Sequence, residues 1–149
     1  MPEKSVLGVV IVTYNSSDVI LDCLESLLSS GPAPIKVLVV DNKSTDDTVQ
    51  VISNWASGRT EYVASADIPI SVSAIAKPID ITGSDETGVQ LVSADSNNGF
   101  AAGVNIGLDL LKAQSTVDRF WVLNPDCVVP TGTVDSILDW QAPQGGFAL

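Results

Sequence analysis

The sequence predicts an α/β fold in which a mostly parallel sheet carries helices on both faces. Short runs of Val, Ile and Leu at Val9–Val12, Val37–Val40 and Trp121–Leu123 are too short to span a membrane and are not amphipathic, the pattern of strands buried on both faces. Between them lie segments with apolar residues at helical spacing, and strands alternating with such helices imply right-handed crossovers and a parallel sheet. Each run also breaks at its carboxyl end into polar residues: Thr13-Tyr14-Asn15, Asp41-Asn42 and Asn124-Pro125-Asp126. Ligands of open parallel sheets bind outside the carboxyl ends of the strands, so these three sets are placed to meet one.

After the first strand, Ser16 and Ser17 are positioned to cap a helix from about Asp18 to Ser29, with Ile20, Leu24, Leu27 and Leu28 on one face. Gly31-Pro32-Ala33-Pro34 stops it, and Ile35–Val40 is the second strand. Ser44 with Asp47 three residues on resembles a capping box and opens a helix carrying Val49, Ile52 and Trp55. From Ser57 to Gly88 the rhythm breaks, and Ile68, Ile70, Val72 and Ala74 alternate with smaller or polar residues, which predicts an inserted hairpin or edge strand. Pro69 and Pro78 exclude a central strand there. Val89–Ala94 resumes as a strand, followed by a turn at Ser96-Asn97-Asn98-Gly99 and a helix from about Phe100 to Ala113. Phe120–Leu123 is the next strand, and Thr131 is placed to cap a last helix with Val134, Ile137, Leu138 and Trp140. The final Gln141–Leu149 stretch reads as a cut end rather than a finished one.

A chain of 149 residues with 45% hydrophobic content has room for one domain and a real core. Eighteen acidic against seven basic residues give a net charge of −11, which disfavours nucleic acid and anionic membrane as broad partners. An anionic ligand therefore needs local help from a divalent cation or from helix N-termini. The absence of histidine removes Ser-His-Asp and Cys-His catalysis and imidazole zinc sites. Cys23 and Cys127 do not form a CxxC pair and read as buried reduced thiols of a reducing compartment. The amino-terminal stretch shows neither a signal peptide nor a spanning helix.

Three constellations could carry chemistry. Asn124-Pro125-Asp126 follows a strand, where a carboxylate suits Mg²⁺ or Mn²⁺ bridging to phosphate oxygens, although Asn-Pro-Asp is also good turn chemistry by itself. In Asp41-Asn42-Lys43-Ser44-Thr45-Asp46-Asp47, the last two aspartates complement the dipole of the next helix, while Asp41 can accept from a ring N–H. Those carboxylates would repel a phosphate, so this loop suits a base or sugar. Gly99, Gly103 and Gly107 recur every four residues, a smooth helical stripe for close approach of backbone or ligand. Each glycine inside a helix costs about 1 kcal/mol relative to Ala, so the stripe needs a reason. Asn98 and Asn105 would share a face and bond a sugar or phosphate, with helix capping as the other reading of Asn98.

Taken in order, Val10-Ile11-Val12-Thr13-Tyr14-Asn15, Val39 through Asp46, Asn98 through Gly107 and Leu123-Asn124-Pro125-Asp126 resemble the inverting family 2 glycosyltransferases, most of all the rhamnosyltransferase-like branch. The resemblance implies a GT-A-type three-layer α/β/α sandwich with a Rossmann-like sheet. Residues 1–149 would form a nucleotide-sugar-binding domain with an insertion at about 57–88. The implied donor is a UDP-, dTDP- or GDP-linked sugar, the implied acceptor a hydroxyl of a glycan or lipid-linked glycan in polysaccharide biosynthesis, and the implied setting the cytoplasm or inner membrane face. Donor-binding positions carried over are Thr13, Tyr14, Asn15, Asp41, Asn42, Asn98, Gly99, Asn105, Asn124 and Asp126, with Asp126 as ligand to Mg²⁺ or Mn²⁺. Asn124 departs from the acidic first position of the family's metal motif, and Val104 stands where some members place an Arg.

The general base that inversion requires is not identifiable in this chain. A non-catalytic nucleotide-sugar-binding or partner-binding module is therefore the second reading. A nucleotidyltransferase is disfavoured, since no Gly-rich basic loop follows the first strand. Apolar surface next to a missing acceptor half would promote homo-oligomers.

Overall fold

The computed structural model describes residues 6–72, 74–114 and 116–140. Strands and helices alternate as expected: β1 (Val6–Thr13), α1 (Ile20–Leu28), β2 (Ile35–Asp41), α2 (Thr48–Ser57), β3 (Gly88–Ser93), α3 (Phe100–Lys112), β4 (Val117–Val122) and α4 (Thr133–Asp139). The four strands are all parallel in the order β3-β2-β1-β4. Every residue of β1 and β2 is buried, as the unbroken apolar runs require of central strands covered on both faces. On one face Ile20, Leu24 and Leu27 of α1, Ile52 and Trp55 of α2 and Val134 of α4 pack against Leu7, Val9, Ile11, Val37 and Val39. On the other, Leu111 of α3 packs with Val6, Val10, Val12 and Leu38. The result is the three-layer sandwich.

Two glycines set the distance of the α3 layer. A Cβ on Gly107 would stand 2.6 Å from Val10 Cγ1, and one on Gly103 would stand 2.8 Å from Val12 Cγ1. The glycine stripe is therefore a packing surface at these two positions. Gly99 differs: it is exposed, has φ of +96°, and forms the turn into α3.

Several local expectations are corrected. Neither Ser16 nor Ser17 caps α1, which begins at Ile20 with Val19 at its N-cap; the Ser16 hydroxyl turns back to the Tyr14 backbone instead. Ser44 does not form a capping box, because its hydroxyl is taken by Asp41, and α2 starts later, at Thr48. Gly132, in the left-handed region, holds the N-cap of α4 in place of Thr131. The strand expected at Phe120–Leu123 begins three positions earlier, because Val117 already pairs with Val6.

The segment 58–87 forms no hairpin among its described residues; a single antiparallel bridge, Thr82 to Gln90, touches β3. Its anchors are side chains. Glu25, fully buried on α1, accepts from Trp55 Nε1 at 2.8 Å, from Lys77 Nζ at 2.6 Å and from the backbone N–H of Ile75 at 2.9 Å. One turn earlier, Asp22 accepts from the Tyr62 hydroxyl at 2.6 Å and from Ser65 N–H at 3.2 Å. Burial alone would raise the Asp22 carboxyl, but these bonds bring it below its usual range. Tyr62 is raised by burial and by Asp22. Under the sheet, Lys36 of β2 is wholly buried, with its charge lowered in pKa by desolvation and its Nζ donating to Asp85 O at 2.5 Å.

Candidate functional site at the carboxyl end of the sheet

Register brings the polar ends of β1 and β2 together. Thr13 pairs with Asp41, and Asp41 with Ser93, across three strands. Asp41, expected just past the strand, is its last residue and only 2% exposed. Its Oδ1 accepts from Thr13 Oγ1 at 2.8 Å and Ser44 Oγ at 2.6 Å, and its Oδ2 accepts from Ser44 N–H at 2.9 Å. A buried carboxylate needs such donors.

Asn15 ties the first loop to the second. Its φ of +50° lets the side chain fold back, so that Oδ1 accepts from the N–H groups of Thr45 and Asp46 at 2.8 and 3.1 Å, while its own N–H donates to Ser44 Oγ. Asp46 accepts from the N–H and hydroxyl of Thr48 and so fixes the start of α2. Those bonds, the Thr48 hydroxyl first, hold its carboxyl below the usual range. Sequence reasoning missed Ser44 as the hub of this loop, and only its place three residues after Asp41 signalled it.

Asn42 is 3% exposed and joins the sheet to α3: its backbone N–H donates to Thr13 O at 2.8 Å and its Nδ2 to Gly99 O at 3.0 Å. With Nδ2 committed, Oδ1 is buried with no hydrogen-bond partner among the described residues. Beside it lies a cleft of about 370 Å³ lined by Val12, Tyr14, Ser16, Asn42, Asn97, Gly99, Phe100 and Pro125. Tyr14 and Phe100, 48% and 54% exposed, are aromatic faces on this cleft. No side chain caps α3, so the N-terminus of a 13-residue helix opens at the same place.

The remaining expected residues are dispersed. Asn98 is exposed in the turn ahead of α3, not on its face. Asn105 is exposed on the side of α3 opposite Gly103 and Gly107, and it does not line the cleft. Asn124 and Asp126 are exposed on a turn closed by Cys127 N–H donating to Asn124 O at 3.1 Å. Pro125 faces the cleft, whereas Asp126 lines a second cavity of about 400 Å³ with Asp18, Asp22, Ser65 and Asp67. Among the described residues no three acidic or thiol groups gather to hold an ion. Asp126 by itself fits the mode in which Mg²⁺ or Mn²⁺ takes one carboxylate and completes its shell with phosphate oxygens and water. No described helix is long and apolar enough to cross a membrane.

A sequence profile of glycosyl transferase family 2 matches residues 8–67, the stretch that includes the ends of β1 and β2. No curated protein matches the sequence. Among solved structures, residues 1–349 of TarS from S. aureus superpose with a TM-score of 0.59 at 19% identity, covering 88% of this chain and 30% of that one. The same protein has been solved with UDP and with UDP-GlcNAc. The mannosyltransferase PcManGT from Pyrobaculum calidifontis, solved with GDP-Man and Mn²⁺, superposes with a TM-score of 0.59 at 20% identity, over 89% of this chain and 30% of its own. This chain thus spans less than a third of the length of either. Sequence links the first two strand ends to glycosyl transferase family 2, and structure identifies the sheet and its helices as a GT-A-type α/β fold.

Proposed function

We propose that residues 1–149 act as the donor-binding domain of a metal-assisted inverting glycosyltransferase, with 57–88 as an insertion. The observation that carries this reading is the cleft between the ends of β1 and β2 and the start of α3, with its aromatic rims and its lone buried acceptor, Asn42 Oδ1. The family profile over 8–67 and the UDP-, UDP-GlcNAc- and GDP-Man-bound proteins of the same fold support a nucleoside diphosphate sugar as ligand.

In this reading Tyr14 and Phe100 offer faces to the base, and Thr13, Asn15, Asp41 and Gly99 build the floor and wall around it. Asn42 Oδ1 takes a donor such as a ribosyl hydroxyl or ring N–H. The α3 N-terminus favours negative charge at its mouth, with Asn98 in the turn before it. Asp126, flanked by Asn124 on the turn whose Pro125 lines the cleft, would be the residue to hold the cation. When bound, Mg²⁺ or Mn²⁺ would offset the charge of the departing diphosphate. An acceptor hydroxyl then displaces it in line, with inversion, once a base outside this set removes the proton. The branch and sugar that the sequence resemblance favours, rhamnosyl transfer to a glycan or lipid-linked acceptor, belong to the same proposal.

Calorimetry with UDP, dTDP and GDP, with and without Mn²⁺, tests it. The expected result is binding of at least one nucleotide, strengthened by about tenfold with Mn²⁺, with that gain lost in Asp126→Ala. Failure to bind any of the three overturns the donor-site reading, and a gain that survives Asp126→Ala overturns the metal assignment.

A further inference from the structure

The turn that leads into α3 is held at its ends and unbonded in its middle. Lys43 Nζ donates to Asp95 O at 3.2 Å, and Gly99 O accepts from Asn42 Nδ2 at 3.0 Å and from Gly103 N–H at 3.2 Å. Between them Gly99 N–H donates to Asn97 Oδ1 at 2.9 Å, while the Asn98 carboxamide has no hydrogen-bond partner among the described residues. Asn97, Asn98 and Gly99 are all exposed, and a Cβ on Gly99 would meet nothing within 4 Å. An unheld carboxamide therefore stands beside a backbone nitrogen that no side chain shields.

Of the seven asparagines in the sequence, only Asn98 precedes a glycine. Asn54 and Asn105 lie inside α2 and α3, where the following N–H is committed to the helical ladder. Asn42 is 3% exposed, and Asn15 is bonded to Thr45 and Asp46. Asn124 precedes Pro125, which carries no backbone N–H.

We propose that Asn98-Gly99 is a site of spontaneous modification, at which Asn98 closes a succinimide with Gly99 and opens to aspartyl or isoaspartyl. The Gly99 nitrogen loses its proton to solvent base and attacks Asn98 Cγ. A C–N bond forms there, the bond to the side-chain amide nitrogen breaks, and that nitrogen leaves as ammonia with a proton returned from solvent. Water then adds its hydroxyl to one of the two ring carbonyls and its hydrogen to the ring nitrogen. Opening at Cγ gives the aspartyl form, and opening at the backbone carbonyl gives the isoaspartyl form. The net change is amide plus water to carboxylic acid plus ammonia.

Both products alter the cleft that Asn97 and Gly99 line. Each places a carboxylate ahead of the uncapped α3 N-terminus, where it competes with any anionic ligand for the helix dipole. The isoaspartyl form also routes the main chain through an added methylene just before Gly99, whose carbonyl holds Asn42 and the first turn of α3. The effect on nucleotide binding rests on the donor-site reading of the cleft, whereas the conversion does not.

The test is peptide mapping by mass spectrometry of the full chain during incubation in mildly alkaline buffer, with enzymatic methylation to count isoaspartyl carboxylates. The expected product exchanges NH2 for OH at Asn98, about tenfold faster than at any other asparagine, and faster as pH rises because the attacking nitrogen must lose its proton. Asn98→Gln should abolish the signal. Asn97→Ala, which frees Gly99 N–H, should speed it by about threefold, and an unchanged rate overturns the restraint assigned to Asn97. A wild-type chain that keeps Asn98 intact over the interval in which the urea-unfolded chain converts overturns the proposal. As conversion proceeds, UDP affinity by calorimetry should fall by about threefold or more. Unchanged affinity in the converted chain overturns the effect on the cleft, while no UDP binding by the fresh chain overturns the donor site instead and leaves the conversion decided by mass.

Discussion

The ends of β2 and β4 both present an Asp and an Asn to the same edge of the sheet, and the fold treats them in opposite ways. At β2, Asp41 and Asn42 are 2% and 3% exposed, and Asp41 accepts three hydrogen bonds from Thr13 and Ser44. At β4, Asn124 and Asp126 are exposed on a turn held through the backbone, and the Asp126 carboxylate accepts no hydrogen bond from the described residues. The register explains the contrast. Thr13, Asp41 and Ser93 are in line, while the last pair between β1 and β4 is Val10 with Val122. Strand β4 therefore leaves the sheet below the level of Thr13, and its polar turn has no neighbouring strand to bond with. One end is organised by its own hydrogen bonds; the other leaves its carboxylate without a hydrogen-bond partner among the described residues.

Exchanging each aspartate for alanine should separate the two ends most sharply. Asp41→Ala strips three accepted bonds and leaves buried donors from Thr13 and Ser44, at roughly 1 kcal/mol per bond and on the order of 3 kcal/mol in all. Asp126→Ala should stay within about 0.5 kcal/mol of wild type, as expected for an exposed side chain without partners. Urea denaturation monitored by tryptophan fluorescence measures both. Comparable losses at the two positions would break the contrast.

The α3 glycines sharpen it at the next scale. The atoms nearest an alanine Cβ at Gly107 all belong to Val10, whereas one at Gly103 meets Val12 and also the Asn42 amide, 3.1 Å from its Nδ2. Overpacking of this kind costs about 1–3 kcal/mol. Both variants should lose stability by that order, but only Gly103→Ala pushes on the residue that lines the cleft. It should weaken nucleotide binding more than Gly107→Ala does at matched stability, as read by calorimetry. Equal binding losses would remove Asn42 from the site.

These contrasts also show where the sequence was legible. Unbroken runs such as Val37–Val40 have one good solution, a central strand, so the element order and the polar ends could be read directly. The GT-A-type sandwich expected from the motifs is the fold observed. Alternation at Ile68–Ala74 misled because its described residues form no ladder. The stretch just beyond it is fastened by a buried carboxylate, Glu25, which reaches Ile75 and Lys77 as well as Trp55 of α2, and no local pattern announces a partner fifty residues away. Helix starts were misread for a different reason. Ser16 and Ser44 are good caps in isolation, yet groups two and three residues upstream claim their hydroxyls, the Tyr14 carbonyl for one and the Asp41 carboxylate for the other. The four-residue glycine spacing could be read as a stripe, but the division into packing glycines and a turn glycine depends on where β1 lies, which spacing alone does not contain.

The smallest expected effect is electrostatic and belongs to the β2 end. Asp46 is fully exposed, but the hydroxyl and N–H of Thr48 hold its carboxyl below the usual range. A carboxyl depressed in the folded state contributes stability that is complete above its unfolded value, near 3.9, and is lost as pH falls through the lower folded value. Wild type should therefore lose slightly more stability than Asp46→Asn between about pH 5 and pH 2.5, and the difference should shrink in a Thr48→Val background, which lacks the hydroxyl. Thermal midpoints of wild type, the two single variants and the double variant across that range provide the measurement. Superimposable curves would show that the start of α2 does not depend on the Asp46 charge.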